Sequence, residues 1–257
     1  MKKSVFLTLA LSIFATLASK ASISGAGDIM FTGFNSDGND DLAFVLLNSY
    51  TANTPIFFTD NEWDGAAWSD AGETFFHWSS PVNLAEGTVI TLGGLSSGVI
   101  AASTGSATFD SGANFGLAAS NESVYAYVGA SFDTTTPGFL SAFANSGFVS
   151  VPTGSLANTG LVAGSTATEF TNGHDIFAYN GDRSSQAAWA DYRALTGGTA
   201  NWISQDGSGD QSIDLVAPDL PFDSTAFTLG AAVPEPGVSL LITMSAMGLL
   251  SRRRRVR

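Results

Sequence analysis

The sequence predicts an all-β protein, an antiparallel β-sandwich of the immunoglobulin-like or jelly-roll kind with at most one short helix. Short apolar runs are separated by clusters of Gly, Ser, Asn and Asp, a pattern typical of many short strands joined by turns. The run SVYAYVG at 123–129 alternates with period two, as a strand does. The run LAFVLL at 42–47 is continuously apolar, which indicates a strand buried on both faces.

Eight strands are predicted from these patterns. In chain order they are 28–34, 42–47, 55–59, 74–78, 88–92, 123–128, 175–179 and 226–229. Residues 93–122 and 130–172 are rich in Gly, Ser, Ala and Thr, and their pattern does not separate weak strands from long loops. Two sheets packed face to face are the simplest way to bury so many short strands.

One helix is predicted over 184–195. Trp189, Tyr192 and Leu195 share one face at three-residue spacing. Ser184 or Ser185 is suited to cap the start of this helix, and a pair of glycines directly after it is suited to end it.

The N-terminal segment 1–21 has the pattern of a secretory signal helix. Lys2 and Lys3 precede an apolar region of 15 residues at 4–18. Small residues stand at the two positions that a signal peptidase recognises. Cleavage is expected after Ala21. A membrane-anchoring first helix is the alternative, but the run is shorter than the ~20 residues that span a bilayer. The working domain is therefore predicted to be 22–232.

The charge of this domain excludes nucleic-acid binding. Residues 22–232 contain two arginines, no lysine and 22 acidic residues, a formal charge of −20. Such a surface repels nucleic acid and anionic lipid and attracts cations. Acidic side chains also keep an exported protein soluble, so the charge alone does not assign a site. The absence of cysteine from the sequence excludes thiol catalysis and thiolate metal sites.

The stretch FNSDGNDDLAFVLL is the densest polar segment beside a predicted core strand. Asp37, Asn39 and Asp41 stand at i, i+2 and i+4, as the first oxygen ligands of a calcium loop do. Leu42 and Asn48 occupy the positions where such a loop has Gly and Glu, and Asp-Gly is also a strong turn sequence without a metal. Calcium binding and a metal-free turn both remain open. The acidic, glycine-rich segment QDGSGDQSID at 205–214 poses the same choice.

A second candidate site is a stretch at 59–78 in which tryptophans stand among carboxylates. Trp63 and Trp68 are the candidate glycan-stacking residues, because an aromatic ring beside hydrogen-bonding groups suits a sugar. The alternative is a long loop whose tryptophans fold back over the edge of the sandwich.

No catalytic residues are predicted. The segment GLSSG at 94–98 matches the G-x-S-x-G nucleophile motif, but no convincing helix follows it, as that motif requires. His77 and His174 are the two histidines of the sequence, too few to support zinc or a triad by themselves.

The C-terminal segment 233–257 has three parts in order. Pro234, Glu235 and Pro236 come first, an apolar stretch of 13 residues at 238–250 follows, and an arginine block closes it. A helix of that length spans ~20 Å against ~30 Å of hydrocarbon, so this short hydrophobic helix is a poor permanent span, although a simple tail anchor is the alternative. The arginines, which favour the cytoplasmic side, are Arg252, Arg253, Arg254, Arg255 and Arg257.

This segment resembles the PEP-CTERM sorting signal of Gram-negative bacteria. The resemblance implies export through the Sec machinery and signal peptidase, followed by recognition of Pro234, Glu235 and Pro236 by an exosortase. It also implies transient residence in the inner membrane, a final location at the cell surface or outside the cell, and an association with exopolysaccharide and biofilm.

The domain between the two ends contains, in order, the segments GDIMFTGFNSDGNDDLAFVLL, IFFTDNEWDG, HDIFAYNGD, NWISQDGSGD and PFDSTAFTL. In this order they resemble the recurring segments of a lamin-tail-like β-sandwich module of secreted bacterial surface proteins. The resemblance covers roughly 27–229 and brings no catalytic residues with it. Together with the tail it implies a non-enzymatic surface or matrix protein. A secreted hydrolase acting on polysaccharide and a purely structural coat protein are the alternatives.

Overall fold

The computed structural model describes residues 22–69, 72–149 and 154–231. Within these ranges the β-rich class is confirmed, because the strands form two six-stranded sheets accompanied by one α-helix. The elements are β1 Ile29–Asn35, β2 Asp41–Leu46, β3 Ile56–Thr59, β4 Phe75–Ser79, β5 Val89–Gly93, β6 Ala101–Ala102, β7 Ser106–Ser111, β8 Ser123–Val128, β9 Gly138–Ala144, β10 Ala167–Glu169, β11 Ile176–Tyr179, α1 Trp189–Gly197 and β12 Trp202–Gln205.

The first sheet has the strand order β12-β11-β1-β2-β5-β6, and the second sheet has the order β10-β9-β8-β3-β4-β7. Nearly all neighbouring strands in the described residues are antiparallel, as predicted. The exception is β10, which pairs with β9 in parallel, with Ala167 opposite Ala142. The prediction of a purely antiparallel sandwich is therefore wrong at this edge.

Aromatic side chains fill the space between the two sheets. Phe31 of β1 lies edge-on to Phe58 of β3 at 6.3 Å, and Phe34 stacks on Phe143 of β9 at 4.7 Å. Phe44 of β2 meets Trp78 of β4 edge-on at 5.4 Å. Large buried rings in stacked and edge-to-face pairs supply much of the burial energy of such a core. The alternating and continuous apolar runs of the sequence are thus explained by a shared aromatic interior.

The outer face of the first sheet is covered by the C-terminal part of the domain. Phe222 packs against Ala43 and Ile176, and all three are buried. A Cβ on Gly33 would stand 2.7 Å from the Phe222 ring, so only glycine fits beneath it. This cover explains why β2 is apolar on both faces, and the prediction that it is buried on both sides is confirmed.

Seven of the eight predicted strands are present, and the strand predicted at 226–229 is wrong. Phe227 in that segment is buried, but the backbone hydrogen bonds of the segment go to two different parts of the chain and not to one neighbouring strand. The Phe227 N–H donates to Gly87 O at 2.8 Å, and the Thr228 N–H donates to Arg183 O at 2.7 Å. The stretches that the sequence left unassigned hold β6, β7, β9 and β10, and β12 was not predicted.

The predicted helix exists, but it begins five residues later than expected, at Trp189. The Asp182 carboxylate accepts hydrogen bonds from the Ser184 and Ser185 N–H groups, at 3.1 Å each, and so holds the residues predicted as caps in a turn before the helix. The Asp191 carboxylate accepts the Ala188 N–H at the helix start. The buried face of α1 carries Tyr192, as predicted.

No helix within the described ranges is long and apolar enough to cross a membrane. The predicted signal helix at 1–21 and the predicted tail helix at 238–250 lie outside those ranges, as do the sorting motif Pro234, Glu235 and Pro236 and the arginine block.

Candidate functional site

Strand direction brings several acidic loops to one end of the sandwich. β1 ends at Asn35, opposite the start of β2 at Asp41 and the start of β11 at Ile176. The end of β12, at Gln205, pairs with Ile176. The loop at 36–40, the residue before β11 and the loop after β12 therefore meet. We call this region the acidic end, and its carboxylates are Asp37, Asp40, Asp41, Asp60, Glu73, Glu122, Asp175, Asp206 and Asp210.

Loops of the second sheet belong to the same end. The Leu117 N–H donates to Asp40 Oδ2 at 3.0 Å, and the Ala118 N–H donates to Glu122 Oε2 at 2.8 Å. The Gly173 N–H donates to Asn145 O, which directly follows β9, at 2.9 Å. The acidic end therefore spans both sheets.

Both arginines of the domain lie at the opposite end. The Arg193 guanidinium donates to Gly27 O at 2.8 Å and pairs with Asp28 at 3.4 Å, next to the start of β1. Arg183 pairs with Asp223 at 3.3 Å and lies 4.9 Å from the centre of the Phe227 ring. Since residues 22–232 contain no other Lys or Arg, no Lys or Arg among the described residues lies at the acidic end.

Asp37, Asn39 and Asp41 occupy the turn between β1 and β2, where their oxygens bind other loops. Asp37 Oδ2 accepts the Gln211 N–H at 3.0 Å. Asp41 Oδ2 accepts from the Asn35 amide at 2.9 Å, and Asp41 Oδ1 accepts from the Gly94 N–H at 3.3 Å. Asn39 is exposed.

In the part of the chain that the structure describes, no group of three or more His, Cys, Asp or Glu side chains is placed to hold a metal ion. Asp37 and Asp41 instead face different backbone donors. Calcium binding by Asp37, Asn39 and Asp41 stays a prediction, and their observed contacts are those of a turn that organises its neighbours.

The two segments that resemble calcium loops lie together in space. Asp210, from 205–214, accepts the Ser212 N–H through Oδ1 at 3.0 Å. Its Oδ2 faces the first loop, because a Cβ on Gly38 would stand 2.8 Å from it. Asp175 Oδ2 accepts the Gly207 N–H at 3.1 Å and so joins the same group. The sequence showed the two loops separately and did not show that they meet.

Burial, and after it the charge of neighbouring carboxylates, raises the pKa of several carboxyls in this group. For Asp37, burial has the largest effect, and the charges of Asp175, Asp210 and Asp206 add to it. The pKa of Asp175 is raised first by burial and then by Asp206. The pKa of Asp41 is raised by burial as well. The raised pKa values follow mainly from burial, and neighbouring carboxylates add to the effect at Asp37 and Asp175.

Asp40 ties three segments together from a buried position. Its Oδ2 accepts the Leu117 N–H, and its backbone carbonyl accepts the Leu95 N–H at 3.0 Å. Burial raises its pKa to about 6, partly offset by the Leu117 hydrogen bond.

A buried carboxyl pair, Asp60 and Glu122, was not predicted. Asp60 follows β3, and its Oδ1 accepts the Thr74 N–H at 3.0 Å. Glu122 precedes β8, and its two oxygens accept the N–H groups of Ala118 and Ser123 at 2.8 and 2.9 Å. Burial raises the pKa of both, and the charge of Glu122 further raises that of Asp60. The sequence feature that could have indicated their burial is that each of these acids stands directly beside an apolar strand.

Trp63 lies as the alternative to glycan stacking predicted, folded back over the sandwich. Trp63 is only 4% exposed, and its indole N–H donates to Ala157 O at 2.9 Å. Its ring meets Trp68 at 5.1 Å and Phe139 at 5.2 Å over the outer face of the second sheet. Trp63 is therefore part of a secondary core, because a ring enclosed in this way has no free face.

Trp68 is partly exposed and borders a surface cavity of about 350 Å³. Its buried indole nitrogen has no hydrogen-bond partner among the described residues. A glycan contact at Trp68 stays a prediction. The other lining residues are Asn61, Ala67, Ser69, Glu73, Phe75, Ser111, Asp133 and Thr135.

The two histidines lie apart. His77 Nδ1 is 2.9 Å from Asp110 Oδ1 beside the second sheet, and His174 Nδ1 is 2.9 Å from Ser204 Oγ at the acidic end. A 3-10 turn, Leu95–Ser97, follows β5 where the nucleophile motif would require an α-helix.

Comparison of the chain with family models, curated proteins and solved structures found no match. The acidic end is the candidate site on geometric grounds: loops from both sheets converge there, and several of their carboxyls are buried or lie beside one another.

Proposed function

We propose that this chain is an exported protein that an exosortase sorts through its C-terminal tail and that resides at the cell surface or in the extracellular matrix. The order of Pro234, Glu235 and Pro236, an apolar stretch of 13 residues and an arginine block is the observation that carries this proposal. The apolar stretch is long enough to hold the chain at the inner membrane transiently and too short for a comfortable permanent span.

We further propose that the domain is non-enzymatic and associates with exopolysaccharide in a biofilm. Support comes from its charge of −20 over residues 22–232, which disfavours nucleic acid as a partner. The outer faces of both sheets are covered by the chain itself, at Phe222 on one side and Trp63 on the other, so loops at the ends of the sandwich are the natural contact surfaces. The finer fold class, immunoglobulin-like or jelly-roll, is part of this proposal.

Intact mass measurement of the protein recovered from producing cells tests the sorting step. We expect the parent protein to have lost the residues after the Pro234–Pro236 motif, whereas a variant combining Pro234→Ala with Pro236→Ala retains them and accumulates in the inner membrane. Pro81→Ala, an exposed proline outside the motif, is the matched control and should be processed normally. Identical masses for the parent and the double variant would contradict sorting through this motif.

Sedimentation of the protein with the producer's own exopolysaccharide tests the second step. We expect co-sedimentation that is abolished by an excess of soluble polysaccharide. Release of new reducing ends from the polysaccharide would favour the hydrolase alternative instead. Self-assembly of the protein without any polysaccharide binding would favour a coat protein.

A further inference from the structure

A cavity of about 220 Å³ lies on the outer face of the first sheet, between the sheet and the segment 217–223 that covers it. Its wall on the sheet side includes Thr32 of β1 and Ala178 of β11, and its wall on the other side includes Asp219 and Phe222. Pockets for drug-sized molecules have volumes of about 300–1,000 Å³, so this cavity suits a smaller ligand.

A β-bulge places Thr32 at this cavity. Between Phe31 and Gly33 the pairing of β1 with β2 shifts by one residue, so Thr32 is the extra residue of the bulge. Phe31 packs in the aromatic core, whereas Gly33 lies beneath the Phe222 ring on the outer face. Bulges re-aim the side chains of a strand, and Thr32 lines the cavity on the outer face.

The Thr32 hydroxyl is buried and has no partner. Thr32 is only 2% exposed, and its Oγ1 makes no hydrogen bond to any of the described residues. A buried hydroxyl without a partner destabilises a protein, whereas valine has nearly the same shape and no polar atom. The hydroxyl therefore suits a ligand that enters the cavity and forms a hydrogen bond with it.

Arg183 supplies a second hydrogen-bond donor at the cavity. Its side chain is 11% exposed, and its Nη1 donates to the backbone oxygens of Asp223 and Thr225 at 3.3 and 3.0 Å. Its Nε pairs with Asp223 Oδ2 at 3.3 Å, and its Nη2 donates to Tyr179 O at 3.4 Å. A guanidinium has five N–H groups, so one N–H on Nη2 has no acceptor among the described residues and can donate to a ligand.

We propose that this cavity binds one neutral sugar residue of the exopolysaccharide. A sugar ring has apolar C–H faces and a rim of hydroxyl groups that both donate and accept hydrogen bonds. The cavity matches both parts of the ring. Ala178 and Phe222 form an apolar wall, and Thr32, Arg183 and Asp219 are the polar groups that would bind the hydroxyls. The inference rests on the proposed association with exopolysaccharide and gives that association a specific site.

The charge and polarity of the cavity disfavour other classes of ligand. The carboxylates of Asp219 and Asp223 border the cavity, and the Arg183 guanidinium already pairs with Asp223. An anionic ligand would therefore meet two carboxylates and no free cation. An apolar ligand would leave the Thr32 hydroxyl buried without a partner. A neutral ligand with hydroxyl groups avoids both costs.

Ligand-observed NMR of the full chain tests the site. The probes are methyl glucoside, methyl galactoside, methyl mannoside and the neutral oligosaccharides released from the producer's own exopolysaccharide. We expect at least one probe to bind with a Kd of roughly 1–10 mM, as suits so small a ligand. The uronic acid of the same sugar should bind roughly tenfold more weakly or less. Absence of binding by every probe would overturn the proposal, as would a uronic acid that binds as tightly as the neutral sugar.

Thr32→Val separates a ligand contact from a structural role. The variant loses the hydroxyl and keeps the shape of the side chain, so we expect a Tm equal to or above that of the parent and a Kd at least tenfold higher. Thr108→Val makes the same change at an exposed position of β7 in the second sheet and should bind sugar like the parent. An unchanged sugar affinity in Thr32→Val would overturn the proposal. A lower Tm would overturn it as well, because it would show that the hydroxyl already has a partner.

Sedimentation with the producer's polysaccharide distinguishes failure of this site from failure of the proposed function. Equal co-sedimentation of the parent and Thr32→Val would show that the association is real and that this site is wrong. Binding of the small sugars through Thr32, without co-sedimentation of the parent, would support the site and contradict the proposed association.

Discussion

Asp60→Asn should stabilise the protein at neutral pH and make its stability less dependent on pH. Asp60 is only 3% exposed, and burial, followed by the charges of Glu122 and Glu73, raises the pKa of its carboxyl. Its Oδ1 accepts the Thr74 N–H, and the asparagine oxygen can accept the same bond. The substitution therefore removes the cost of protonating this buried carboxyl on folding and keeps the hydrogen bond.

The magnitude follows from proton linkage. The unfolded chain releases the Asp60 proton near its ordinary pKa of 3.8, whereas the folded chain retains it to higher pH. The contribution of Asp60 to stability is therefore fully present below the unfolded-state pKa and is lost as the pH rises towards the folded-state pKa, by up to about 1.4 kcal/mol per pH unit for each such acid. The raised pKa of Glu122, about 8, and that of Asp40, about 6, act in the same direction.

Thermal unfolding followed by circular dichroism between pH 5 and pH 8 measures this dependence. A constant ionic strength and a chelator exclude screening and cation binding. We expect the Tm of the parent to fall by roughly 3–6 °C per pH unit for each acid that contributes, and Asp60→Asn to lose one such contribution. Asp133→Asn, on an exposed loop, should keep the parent slope. A parent Tm that is flat or rises over this range would refute the argument, as would an unchanged slope in Asp60→Asn.

Three further substitutions test the packing, each by its effect on Tm in thermal unfolding. Gly33→Ala places a Cβ 2.7 Å from the Phe222 ring and should destabilise the fold by about 1–3 kcal/mol, whereas Gly116→Ala, which meets no tight contact, should not. Phe222→Ala uncovers the first sheet and should cost about 3 kcal/mol, while Val162→Ala, at an exposed site, should be near neutral. Asp182→Ala removes the acceptor that orders the turn before α1 and should cost about 1 kcal/mol. A Tm equal to that of the parent in any of the first-named variants would contradict the contact it tests.

Strands whose side chains alternate or are apolar throughout were predictable from the sequence. β1, β2 and β8 carry that pattern because both of their faces are buried, in each case by the chain itself. β6, β7 and β10 were not predictable, because they are short or partly exposed edge strands with small polar residues. In such strands the backbone pairing decides the structure, and the side chains carry little signal.

The candidate site was predictable only in fragments. Each acidic loop was visible locally, but the contact of Gln211 with Asp37 depends on β11 and β12 lying beside β1. That strand order joins residues far apart in the chain and leaves no local pattern. For Trp63 the sequence left a glycan contact and a folded-back loop both open for a related reason: a tryptophan among acids can cover a sheet or face the solvent, and only the loop path decides which.

The most direct test of export and sorting is the intact mass of the protein recovered from the surface or the medium of producing cells. Sorting through the tail predicts a mass that lacks residues 1–21 and the residues after Pro236. A mass that includes residues 237–257 would contradict sorting through Pro234, Glu235 and Pro236.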